Sequence, residues 1–262
     1  MLEVTFDQLQ TWLAAFLWPF TRITAFLAAS PLWGHSSVPN EAKVGLAVAI
    51  SIVIAPVIPP LPDVPILSWA GVWIMVEQVI IGLAMGMVMQ FTFGVVQAAG
   101  VFIGLKMGLA FATFFDPGSG TNMVVLSRIL LMITLLMFLA FNGHLIVLEI
   151  LATSFQTLPI GLGGFNPGAF EMLARYSGVI FTTGTLLALP VVGPLITISL
   201  ALGILNRSAP QLTVFSIGFP TQLLVGMFLL MVMMNDITAF LERLFAHALM
   251  KQQQLLDMLA PL

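Results

Sequence analysis

Cysteine is absent from these 262 residues, tyrosine occurs once, and Asp, Glu, Lys and Arg together make up only 7% of the chain. Without thiols there is no disulfide framework, no thiolate metal site and no Cys nucleophile. Eight basic residues stand against eleven acidic ones, for a net charge of −3. With no basic cluster, the chain lacks the electrostatic footprint of a nucleic-acid binder. His35, His144 and His247 are far apart, none belongs to an H-E-x-x-H pattern, and no G-x-x-x-x-G-K motif occurs. These absences argue against an enzyme, and neither a cofactor nor a metal site is expected.

What remains is apolar. The chain is 60% hydrophobic with a mean hydropathy of +1.10, an excess that a water-soluble domain of this length cannot hide. The expected class is an all-α integral membrane or membrane-embedded assembly protein. Hydrophobic segments fall at about 11–33, 44–61, 66–103, 124–157, 173–206 and 211–234. Phe16 to Ala29 followed by Ser30 has the outline of a signal peptide, but Glu3 and Asp7 precede it without Lys or Arg, so an uncleaved first helix is expected.

Proline and glycine divide these segments. Pro56, Pro59, Pro60, Pro62 and Pro65 force an extended turn and pair 44–58 with 66 onward as a helical hairpin. The stretch from Leu158 to Gly168 carries two prolines and several glycines and reads as a linker. Residues 176–206 hold no charge at all, and thirty-one helical residues would extend about 46 Å, more than the roughly 30 Å of a bilayer core. Pro190 and Pro194 supply a break, so this segment is expected to be a bent helix or a tight helical hairpin. From Ile237 apolar residues recur at helical spacing with Glu242, Arg243, His247 and Lys251 opposite, which predicts an amphipathic tail over 237–262 lying on a membrane surface or a partner. Arg243 and Lys251 favour a cytoplasmic C-terminus.

Several residues stand out chemically. Glycines recur at helical spacing as Gly82, Gly86 and Gly94, then as Gly100, Gly104 and Gly108, a stripe that lets a neighbouring backbone approach closely, within the chain or between subunits. The loop from Met107 to Thr121 includes Met107 itself, and in it Phe111, Phe114 and Phe115 precede the turn Asp116-Pro117-Gly118-Ser119-Gly120. Bulky apolar residues beside flexible ones suit either an ordinary packed loop or a stopper that enters and leaves a pore. Arg22 and Glu77 lie inside apolar segments, where an ionised group costs about 2.5 to 3.5 kcal/mol on insertion scales, so each needs a partner or water. A structural polar contact and a proton or substrate relay both remain open. The methionines at 85, 87, 89, 231, 233 and 234 read as apolar packing.

The string Asn206-Arg207-Ser208-Ala209-Pro210-Gln211, continuing through Phe215 to Gly218-Phe219-Pro220, joins two hydrophobic segments. By this N-R-x-x-P-Q-x-x-V-F-x-x-G-F-P pattern, its length and its segment order, the chain resembles the FliR/SctT family of type III secretion export-gate subunits. The resemblance implies one copy assembled with FliP and FliQ subunits, contacting FlhB, in an inner-membrane conduit of the flagellar basal body for unfolded export substrates. It further implies a FliP-like part over about 1–157, a FliQ-like hairpin over about 169–250, bent helical hairpins, and a channel plug at the Phe-rich loop. A virulence-system counterpart shares the motif. A small-solute transporter with Glu77 as coupling acid is the alternative from another class.

Overall fold

The computed structural model describes residues 6–109, 125–161, 163–208 and 217–260. Among these every regular element is helical: α1 (Phe6–Ala29), α2 (Asn40–Ile54), α3 (Trp69–Lys106), α4 (Val125–Ala140), α5 (Gly143–Thr157), α6 (Pro167–Tyr176), α7 (Val179–Ser208), α8 (Phe219–Met234) and α9 (Ile237–Leu259), with a 3₁₀ turn at Ala55–Val57. Four helical stretches are long and apolar enough to cross a membrane, or up to six if two bent pairs each count as one span. The bent pairs are α4 with α5, and α8 with α9, the latter turned by 63° at Asn235 and Asp236.

Two compact units divide the chain. The first holds 1–91, 142–177 and 246–262, the second 92–141 and 178–245. In the first, α1 lies against α3 because Gly82 and Gly86 have no side chain. A Cβ at Gly82 would overlap Arg22 O, and one at Gly86 would lie 2.5 Å from Ala29 Cβ. Trp18, Ile23, Phe26 and Leu27 of α1 are thereby fully buried with Met85 of α3. At the proline cluster the extended turn is found: Pro56 sits in the 3₁₀ turn and the chain leaves it extended at Ile58. Asn166 caps α6, its side-chain oxygen accepting from Gly168 N at 2.9 Å with Pro167 in the first turn.

In the second unit the core is aromatic. Phe93, Phe138 and Phe245 meet with ring centroids 5.1 to 5.7 Å apart. Gly100 rests on the Ser127 backbone, and Ser127 Oγ donates to Gln97 O at 2.9 Å. Gly184 of α7 sits against Val95 O and Ala98 of α3. Gln222 of α8 reaches back to Ser199 of α7, Nε2 to Oγ 2.9 Å, and so ties those two helices together.

Two expectations are corrected. Of the two forms expected for 176–206, the helix is found and the hairpin is not: α7 runs continuously through Pro190 and Pro194. Each proline removes one i to i−4 bond, to Leu186 O and to Pro190 O. Because the prolines are four residues apart, both losses fall on one face and the other face carries the helix on. Nor is the apolar face of α9 left open for a membrane surface or a partner, because it is buried in this chain at Leu241, Leu244, Ala248, Leu255, Leu256 and Leu259. Gln252, which looks like the start of a polar end, falls on that same stripe and is fully buried, its Nε2 3.4 Å from Met85 O. Periodicity identified the face correctly and could not say what covers it.

Candidate functional site

Arg22, on α1, is fully buried and has no carboxylate partner among the described residues. Its Nε donates to Gln78 Oε1 at 2.8 Å, Nη1 to Ser154 O at 2.9 Å and Ser154 Oγ at 3.1 Å, and Nη2 to Leu158 O at 2.9 Å. The guanidinium also lies 4.2 Å from the Phe155 ring centroid. The carbonyls of Ser154 and Leu158 sit at the C-terminal end of α5, where helix dipoles sum to negative charge. A helix end and an aromatic face thus replace the missing acid, and one side chain ties α1, α3 and α5 together. Ser154 completes the network by donating its hydroxyl to Leu151 O at 2.6 Å.

Glu77 is solved separately. It is only 4% exposed, and its carboxylate accepts from Trp73 Nε1 at 2.9 Å and from the backbone N–H of Gly164. Among the described residues the one ion pair is Arg175 with Glu171, so Arg22 and Glu77 do not pair with each other. Both buried charges are held by neutral groups.

At Lys106 the helix α3 stops abruptly. Gly108 has φ +79, Leu109 N donates to Gly104 O at 2.9 Å and Gly108 N to Leu105 O at 3.2 Å, the paired bonds of a Schellman cap. Met107 is buried, and its side chain fills the space over Gly226 of α8, where a Cβ would lie 2.6 Å from Met107 Cγ. Gly104 and Gly108 therefore serve the helix end, whereas Gly82, Gly86, Gly94 and Gly100 are packed by this chain's own atoms. At those four the close approach is made within the chain. Phe111, Phe114, Phe115, Asp116, Pro117 and Gly118 lie outside the described residues.

The junction motif is divided in the same way. Asn206 and Arg207 occupy the last turn of α7, half-buried and exposed respectively. Gly218 precedes α8, with Phe219 and Pro220 in its first turn. Pro210, Gln211 and Phe215 lie outside the described residues. Sequence reasoning missed Gln78, Ser154, Phe155, Trp73 and Gly226. The first two are polar residues inside apolar helices, a signal that was present; Gly226 carried none.

Along α7 and α8 the large apolar residues face outward. Phe181, Leu186, Leu200, Ile204, Leu224, Met227 and Met231 are each more than 60% exposed. Among the described residues no cluster of His, Asp and Glu could hold a metal ion. Long apolar helices, buried charges hydrogen-bonded by neutral groups and uncovered apolar faces define a membrane-embedded protein. Residues 13–248 match the family described as Bacterial export proteins, family 1, and the chain belongs to it. It is 48% identical to the flagellar biosynthetic protein FliR of Escherichia coli (strain K12) and 45% identical to that of Pectobacterium carotovorum, each over 94% of both chains. The flagellar biosynthetic protein FliR of Bacillus subtilis is 29% identical over 92% of this chain and 94% of its own.

Proposed function

We propose that this chain is a non-enzymatic subunit of the flagellar type III protein export gate. It joins FliP and FliQ subunits, contacts FlhB, and helps form and seal an inner-membrane conduit for unfolded flagellar proteins. The observation that carries this reading is the uncovered apolar surface of α7 and α8 in a chain of this family. That surface is too large for comfort in water, and a hetero-assembly would cover it. The names of the matched relatives favour a flagellar apparatus over a virulence one. A FliP-like part over about 1–157 and a FliQ-like part over about 169–250 belong to the same proposal.

Sealing is assigned to the loop that follows Met107. Its Phe111, Phe114 and Phe115 supply burial worth up to about 1.5 to 3 kcal/mol per fully buried ring, which favours the closed state if they are buried only there. The energy for transport comes from other components.

Two experiments test the reading. Expressed alone the protein is expected to be heterogeneous in detergent, and with FliP and FliQ to give one large complex; a stable, monodisperse monomer would count against it. Deleting residues 110–119 is expected to leave complex abundance unchanged and make the membrane leaky to small ions. Normal abundance with unchanged conductance would sink the plug, and lost complex would make the loop part of the core.

A further inference from the structure

Between α7, α8 and the start of α9 lies an open groove of about 430 Å³, within the range of small-molecule sites, roughly 300 to 1,000 Å³. Leu186, Pro190, Leu229 and Phe240 give it an apolar floor, and two charged residues of opposite sign, Asp236 and Arg243, border it. No ion pair joins them, and neither the Asp236 carboxylate nor the terminal nitrogens of Arg243 have a hydrogen-bond partner among the described residues. They stand seven residues apart, about 10 Å of helix rise. Arg243 leans back toward the start of α9, since its Nε donates to Ala239 O at 3.1 Å, and this brings the charges closer together. A third polar group comes from the floor: Pro190 has no N–H, so Leu186 O lacks its helical donor.

We propose that this groove is a binding site for a zwitterionic aminophospholipid of the phosphatidylethanolamine kind. The phosphate sits at the Arg243 guanidinium, the primary ammonium donates to the Asp236 carboxylate and to Leu186 O, and an acyl chain lies along the apolar floor. Each polar group of the groove then has a complement. A choline headgroup has no N–H to offer the two acceptors, and a glycerol headgroup leaves Asp236 without a cation. An apolar helix from another subunit would strand both charges. The inference rests on the membrane embedding of the chain and not on the gate reading, so lipid binding and export can fail independently.

The test uses the complex purified after co-expression with its partner subunits. Native mass spectrometry under titration with phosphatidylethanolamine, phosphatidylglycerol and phosphatidylcholine is expected to show preferential retention of the first. Arg243→Gln and Asp236→Asn should each weaken that retention about tenfold, the scale of one hydrogen bond to a charged group. Asp236→Asn should also narrow the preference over phosphatidylcholine. Equal retention of the three lipids, or retention unchanged in both variants, would overturn the site. If either variant fails to assemble, a photoreactive phosphatidylethanolamine on the unmodified complex decides. Adducts on the α7 to α9 segment around Leu186 and Phe240 support the site, and their absence, or a partner protein cross-linked there, overturns it.

Discussion

Of the most apolar stretch of α3, 61% is buried within the chain, whereas in the equally apolar stretch containing α7 only 22% is. Both helices carry glycines, and these are used in opposite ways. On α3, Gly82 and Gly86 meet α1 and Gly100 meets the Ser127 backbone. On α7, Gly184 meets α3, but a Cβ at Gly193 or Gly203 would find nothing within 4 Å. Hydropathy alone cannot separate a core helix from one awaiting a cover, because both read as apolar. The contacts of the small residues separate them.

The largest expected effect follows on α3. Gly82→Leu would drive a branched side chain into the α1 backbone at Arg22, Ala25 and Phe26, and Gly100→Leu would meet the Ser127 backbone. Backbone cannot step aside as a flexible side chain can, so each is expected to cost about 3 kcal/mol or more. The loss should appear as depleted protein and a lowered melting temperature. Near-normal melting in both would erase the contrast with α7.

Arg22→Met comes next. It removes the donor to Gln78 Oε1, Ser154 Oγ and the Leu158 carbonyl while keeping most of the volume. Buried acceptors left unsatisfied cost about 1 to 3 kcal/mol each, so a net loss of about 3 to 5 kcal/mol is expected after relaxation. Arg22→Lys should recover less than half, since an ammonium cannot span the same fork of acceptors. Full activity and melting in Arg22→Met would make the network ornamental.

Smaller still is the effect at Gly226, where the neighbour is the flexible Met107 side chain. Gly226→Ala is expected to cost about 1 to 2 kcal/mol through overpacking, and Met107→Ala in the same chain to return part of it. Strict additivity of the two, measured by melting of the assembled complex, would show that they do not meet.

Much of the fold was legible: the helical class, the break between the first two hydrophobic segments and α3, the linker before α6, and the amphipathic face of α9. These are local consequences of period and of Pro and Gly. Three things were not. The course of α7 through Pro190 and Pro194 depends on both lost bonds falling on one face. The cover over α9 is a tertiary contact, which a periodic pattern leaves unspecified. Arg22 was marked by its cost inside an apolar helix, yet its partners lie 56 to 136 residues away, and carbonyls at a helix end leave no trace in side-chain chemistry. The junction motif identified the family from residues whose own chemistry explained little.

The smallest effect on the fold is the most informative about assembly. Gly193→Ala with Gly203→Ala adds two methyl groups where the chain has open space, and alanine is favoured over glycine within a helix by up to about 1 kcal/mol per site. By the logic of α3 these substitutions would be harmful. By the logic of the open face they should leave the chain as stable as before, or slightly more so. If a neighbouring helix approaches those glycines closely, the same methyls should lower recovery of the complex with its partners. Unchanged abundance of the chain in the membrane alongside reduced recovery of the complex would place the contact outside the chain. A melting loss of several degrees would return α7 to the class of α3, and unchanged recovery would leave the two glycines without a partner to meet.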